Sequence, residues 1–178
     1  MKKHNVFVSY HHDEDQDYRD CFEALFRTEV FISKSVGFGE IDPNLKPDTV
    51  RRIIRDEYLR DSTVTIVLIG KYTWQRKYVD WEIGSSIRKT EYNSRSGLIG
   101  VFLPTHPNNG GKDYDENLIP PRLAHNHNCG FAELYNWTEN PETLKQWIHD
   151  AFNRRGRVDP DNSFPHFIKN RTGERWQT

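Results

Sequence analysis

An α/β fold with a central parallel sheet is the class this sequence predicts, and three observations carry it. Short β-branched runs alternate with segments of helical periodicity. The run "STVTIVLIG", residues 62–70, is apolar almost throughout, as a strand covered on both faces should be. Five such runs favour a flavodoxin-like three-layer sandwich with strand order 2-1-3-4-5 and right-handed connections. Ligands of such folds sit at the carboxyl ends of the strands, near the switch point between the first and third.

The elements follow in order. "NVFVSY" (5–10) is the first strand. After an acidic turn, Tyr18, Cys21, Phe22, Leu25 and Phe26 share one helix face. "VFIS" (30–33) is a second strand, followed by a loop with two glycines and two prolines. Asp48 is placed to cap a helix whose apolar face holds Val50, Ile53, Ile54 and Tyr58. The third strand (62–70) leads to a helix over about 77–92. "GLIGVFL" (97–103) is the fourth strand. Residues 104–131, rich in Pro, Gly and Asn, read as a long loop. "AELYNW" (132–137) is the fifth strand, and Asn140-Pro141 opens a last helix with Leu144, Trp147, Ile148, Ala151 and Phe152 on one face.

The chain of 178 residues suits one domain, 1–155, with a polar tail, 156–178, that packs on it or extends it. Lys and Arg number 25 against 26 Asp and Glu, so there is no basic field for nucleic acid. Two cysteines, Cys21 on the buried helix face and Cys129, make no disulfide framework. The N-terminal stretch lacks a long apolar run. A cytoplasmic protein without membrane contact is the expectation.

The usual occupants of the fold are poor fits. The first turn, "YHHDED", has no glycine for a dinucleotide, and there is no phosphate-binding G-x-x-x-x-G-K-[ST]. The third strand ends "VLIGK", without the aspartate of a phosphoryl-accepting receiver. His125, His127 and Cys129 have chelating spacing, but no fourth ligand stands nearby in sequence, and a plain loop without metal is the reading preferred.

Glu82 in "KYVDWEIGSS" draws attention instead. At about 100° per residue, Val79, Ile83 and Ile87 form the arc facing the sheet, with Tyr78, Trp81 and Ser85 on the other flank. Glu82 falls at the margin, early in a helix whose dipole favours an anion. By phase alone it reads as a boundary acid that caps the helix or pairs with an arginine.

The residues quoted carry a resemblance. "VFVSYHHDEDQDYRDCFEALF" resembles the first box of Toll/interleukin-1 receptor (TIR) domains. "KYVDWE" resembles their W-C-x-x-E motif, with Tyr78 in the tryptophan place and Glu82 in the glutamate place. "FISKSVGFGEIDP", "RDSTVTIVLIGKYTWQRKYVDWEIGSSI" and "SGLIGVFLP" look like the TIR-like branch of bacterial Thoeris anti-phage defence. Tyr78 and Val79 depart from Trp and Cys, and the R-D-x-x-P-G loop of receptor TIR domains is missing.

The resemblance implies an enzyme that cleaves the nicotinamide glycosidic bond of NAD+, with NAD+ as substrate and no resident cofactor. It implies a cyclic ADP-ribose-type product that reaches an effector as a diffusible signal, a phage-derived trigger and self-association. Glu82 would be catalytic, and Ser9, Tyr10, His11, Ser35, Trp74, Tyr78 and Trp81 would line the substrate. A non-catalytic TIR-like adaptor and a nucleoside deoxyribosyltransferase-like enzyme are the alternatives.

Overall fold

In a computed structural model of the chain, residues 2–27, 30–34, 41–91, 93–108 and 110–177 are described, with backbone alone for 32–34. Five strands form one parallel sheet: β1 (His4–Ser9), β2 (Phe31–Lys34), β3 (Val64–Ile69), β4 (Gly97–Phe102) and β5 (Ala132–Asn136). Their spatial order is β2-β1-β3-β4-β5, so the chain reverses direction across the sheet between β1 and β3. The described helices are α1 (His12–Phe26), α2 (Pro47–Ile53), α3 (Lys77–Ser86), α4 (Pro121–Asn128) and α5 (Pro141–Arg154). None of them is long and apolar enough to cross a membrane.

Strand periodicity sorts the side chains into layers. Val6, Val8 and Tyr10, Val64, Ile66 and Leu68, and Ile99 and Val101 pack with Phe22 and Phe26 of α1 and Leu144, Ile148 and Ala151 of α5. On the other side, Val67, Ile69, Leu98 and Phe102 meet Val79, Ile83 and Ile87 from the α3 segment and Leu123 and Ala124 of α4. A third cluster joins Phe7 of β1 to Val50, Ile54 and Trp81. The arc read from the phase of α3 therefore does face the sheet.

Several local expectations are corrected. Residues 104–131 are not a plain loop: Pro120 and Pro121 pre-set the entry to α4, which carries His125 and His127. The third helix stops at Ser86 rather than near residue 92. The Ser86 hydroxyl donates to the Ile83 carbonyl at 2.9 Å, and the Ser86 carbonyl is taken at 2.8 Å by the Ser96 amide, where β4 begins. Pro47 opens α2 and Lys46 occupies the cap position, so Asp48 lies inside the helix and pairs with Arg51. Cys21 is exposed, because Phe22 and Phe26, 5.1 Å apart, occupy the buried face of α1.

Residues beyond α5 fold back over α3 and α4. Phe167 is buried, and the Trp176 indole N–H donates to the Glu116 carbonyl at 2.7 Å. On the opposite layer α5 lies so close to the sheet that a Cβ on Gly97 would stand 2.3 Å from the Ala151 carbonyl oxygen. That oxygen is helix backbone and cannot swing aside. Gly97→Ala is expected to cost at least about 1–3 kcal/mol of unfolding free energy. Gly156→Ala, whose Cβ would meet only Asn153 O at 3.9 Å, should be near neutral; urea midpoints of the two variants check the contrast.

Candidate active site

The site is built where β1 and β3 end beneath α3. Alternation sends Phe7 toward Trp81, and therefore sends Ser9 to the same side of the sheet as Glu82. Glu82 is 3% exposed and its Oε2 has no hydrogen-bond partner. It is not the boundary acid that helical phase suggests, because every residue from Val79 to Ser86 is buried. Burial pushes its carboxyl up to about 8, and the neighbouring Ser9 hydroxyl pulls it partly back. Neither Ser9 Oγ nor Glu82 Oε2 completes a well-formed hydrogen bond.

His11 continues this edge two residues after Ser9. It too is buried, its Nδ1 lacks a partner, and burial followed by the Arg76 charge lowers its pKa. A buried polar group left without a partner costs roughly 1–3 kcal/mol, and such groups are few in native proteins. Three of them fall on β1, at its exit and on α3, which makes this end of β1 the candidate site.

A second buried carboxylate, missed in the sequence, braces the same edge. Asp15 of α1 reaches under the end of β3, where Thr73 Oγ1 lies 3.4 Å from its Oδ2 and accepts from the Gly70 amide at 2.8 Å. A Cβ on Gly70 would fall 2.2 Å from Asp15 Oδ2, so only glycine admits this approach. Burial raises the Asp15 carboxyl to about 6, against the hydrogen bond from Thr73. The acidic turn after the first strand was the available signal, but three adjacent acids there hid which one turns inward.

Opposite Glu82, about 200° around the helix, Asp80 points away from the site. It is 1% exposed and meets the fully buried Arg122 of α4, with Nε to Oδ1 at 2.9 Å and Nη2 to Oδ2 at 3.3 Å. The Phe167 amide donates to Asp80 Oδ2 at 3.0 Å, and Arg122 Nη1 donates to Asn162 Oδ1 at 2.8 Å.

The remaining expected site residues spread more widely. Tyr10 belongs to the α1 layer, with its hydroxyl donating to Gln16 at 2.8 Å and its ring stacked on His12. Trp74 is buried in a 3-10 turn, Thr73–Gln75, after β3. Trp81 donates its indole N–H to the Phe167 carbonyl at 2.8 Å, and Tyr78 packs 5.3 Å from it. Ser35 lies outside the described residues. His127 Nδ1 is 3.2 Å from the Ala132 carbonyl, and Cys129 Sγ bonds the Asn126 carbonyl. Among the described residues no three His, Cys, Asp or Glu side chains are arranged to hold a metal.

A family model described as the TIR-like domain of Thoeris protein ThsB matches residues 7–108, which span β1 through β4 and include Ser9, His11 and Glu82. No curated protein matches the chain.

The pH dependence of stability follows from the burial of Glu82. Its carboxyl sits at about 8 when folded against an ordinary 4.5, so between those values the folded state binds the extra proton. Stability therefore falls as pH rises through that window, at about 1.4 kcal/mol per pH unit for a full proton difference. Glu82→Gln removes this loss. Relative to wild type it should gain stability from pH 5 to pH 8.5, by an amount on the order of a few kcal/mol. Denaturation at both pH values measures it, and a difference independent of pH would contradict the desolvated carboxylate.

Proposed function

The chain belongs to the family of Thoeris ThsB TIR-like domains, a family of anti-phage defence, and from that membership we propose that it is an NAD+-processing enzyme with Glu82 as its catalytic carboxylate. The observation that carries the reading is the buried, unpartnered Glu82 Oε2 beside Ser9, at the carboxyl end of the strands.

The chemistry requires one carboxylate. O-glycosidases use two, because an alcohol must be protonated as it leaves. The nicotinamide of NAD+ is already cationic. When the bond from ribose C1′ to the ring nitrogen breaks, the electron pair goes to that nitrogen and nicotinamide departs neutral. Positive charge then develops on C1′ and the ribose ring oxygen, where a fixed anion in a water-poor site stabilises it. Glu82 supplies that anion. Burial raises its pKa to about 8, which favours the protonated form near neutrality, and the pyridinium of an arriving substrate favours the ionised form.

The second half of the reaction is addition of a nucleophile to C1′. An internal nucleophile of the same ADP-ribose gives a cyclic product, water gives free ADP-ribose, and a proton lost by the nucleophile passes to Glu82. A dry site favours the internal nucleophile. The cyclic product would act as a diffusible signal to an effector in response to a phage-derived trigger. Ser9 and Tyr10 are the candidates for substrate contact that act on or feel the Glu82 carboxyl, and His11 lies one residue further along the same strand exit. Trp74, Tyr78 and Trp81 would contribute as walls more than as hydrogen-bonding partners.

Glu82→Gln should lower NAD+ turnover by about 10³-fold or more, the scale of losing a principal electrostatic group. Mass spectrometry of nicotinamide and ADP-ribose products, with and without phage, checks it. Turnover at the wild-type level would remove Glu82 from the reaction, whereas no NAD+ loss in either protein under any trigger would favour a non-catalytic interaction module.

A further inference from the structure

Residues 162–171 run along the outer face of α3 and are tied to it at four points. Asn162 Nδ2 donates to the Gly84 carbonyl at 3.1 Å. The Phe167 amide donates to Asp80 Oδ2 at 3.0 Å, and the Phe167 carbonyl accepts the Trp81 indole at 2.8 Å. Asn170 Oδ1 accepts the Lys77 amide at 2.9 Å. Just beyond the helix, the Arg171 amide donates to the Gln75 carbonyl at 2.7 Å. Lys77, Asp80 and Gly84 are spaced i, i+3, i+7 and form one face, which is the face turned from Glu82. Gly84 allows close packing there: a Cβ would lie 3.2 Å from Arg122 Nε and 3.3 Å from His166 Cε1.

We propose that this segment is a strap that holds α3 against the sheet from behind, with Asn170 and Asp80 as positioning residues for Glu82. The proposal rests on the reading of Glu82 as the catalytic carboxylate. Its physical basis is the weakness of α3 on its own. A ten-residue helix is marginal without tertiary support, and its first amides need acceptors. Arg76, at the cap position, makes no side-chain cap hydrogen bond. The acceptor for Lys77 comes instead from Asn170, 93 residues away in sequence. The strap thus performs the work of a cap, and Asp80 anchors it midway. A helix held at both ends keeps Glu82 at a fixed depth beside Ser9, out of water.

Asn170→Ala, Asn170→Asp and Glu82→Gln, in the full chain, test this. Asn170→Ala removes the acceptor without unpairing Arg122, whereas Asp80→Asn would leave a buried charge short of its partner and put folding at risk. In Asn170→Ala, amide hydrogen exchange across 77–86 should quicken about tenfold, with β3 and β4 unchanged. NAD+ turnover should show kcat reduced about ten- to hundredfold with KM within about twofold, as for a displaced catalytic group. The pH midpoint of kcat/KM should move down by about half a unit or more as water reaches the carboxylate. Asn170→Asp, which keeps the acceptor, should restore all three. Wild-type kcat and exchange in Asn170→Ala beside an inactive Glu82→Gln overturn the strap alone. An active Glu82→Gln overturns the catalytic reading, and the positioning role falls with it.

Discussion

The buried ion pair between Asp80 and Arg122 is the constraint around which the α3 side of the molecule is organised. Two charges withdrawn from water are costly, and they hold together only when the hydrogen-bonding capacity of both is used. Here it is. Both carboxylate oxygens of Asp80 are engaged, by Arg122 Nε and by Arg122 Nη2 together with the Phe167 amide, and the remaining Arg122 nitrogen reaches Asn162. Satisfying that pair requires α3, α4 and the segment after α5 to arrive at one point. An aliphatic substitute would pack, but it would specify neither the register of the helices nor the path of the chain above them.

The same ten-residue helix carries a second carboxylate treated in the opposite way. Asp80 accepts hydrogen bonds on both oxygens, whereas Glu82, two positions on, has an oxygen with none. The strong anchoring on one face compensates for the destabilising group on the other. This is how a fold can keep a desolvated acid without losing its structure: strain is tolerated where the surroundings over-determine the geometry. Asp15 repeats the theme at lower intensity beneath β3, where Thr73 and the bare backbone of Gly70 accommodate a carboxylate raised to about 6.

Much of this was legible in the sequence. The α/β class and the parallel sheet follow from β-branched runs such as that of β3, because a strand buried on both faces leaves no polar alternation. The arc of Val79, Ile83 and Ile87 was readable from period alone. Less legible were boundaries and burial. Phase cannot tell that α3 is covered all round, since the cover comes from residues 162–171 in a stretch that looks polar and irregular. Arg122 sat in an apparent loop, hiding both α4 and the partner of Asp80. Cys21 shows the reverse error: an apolar residue with acceptable spacing that the larger phenylalanines displaced from the core.

The reach of Asn170 back to Lys77 also bears on the order in which the molecule is made. The 93 residues between them take roughly 5–20 s to synthesise at about 5–20 residues per second. For most of that interval β1, β2, β3 and the segment of α3 exist, with β4 and β5 added in turn, but the acceptor for the first amide of α3 does not. An unfinished chain therefore has Glu82 on an unsecured helix. The closure of the helix that carries Glu82 is thereby made the last act of synthesis, tied to the emergence of residue 170 rather than to that of the helix itself.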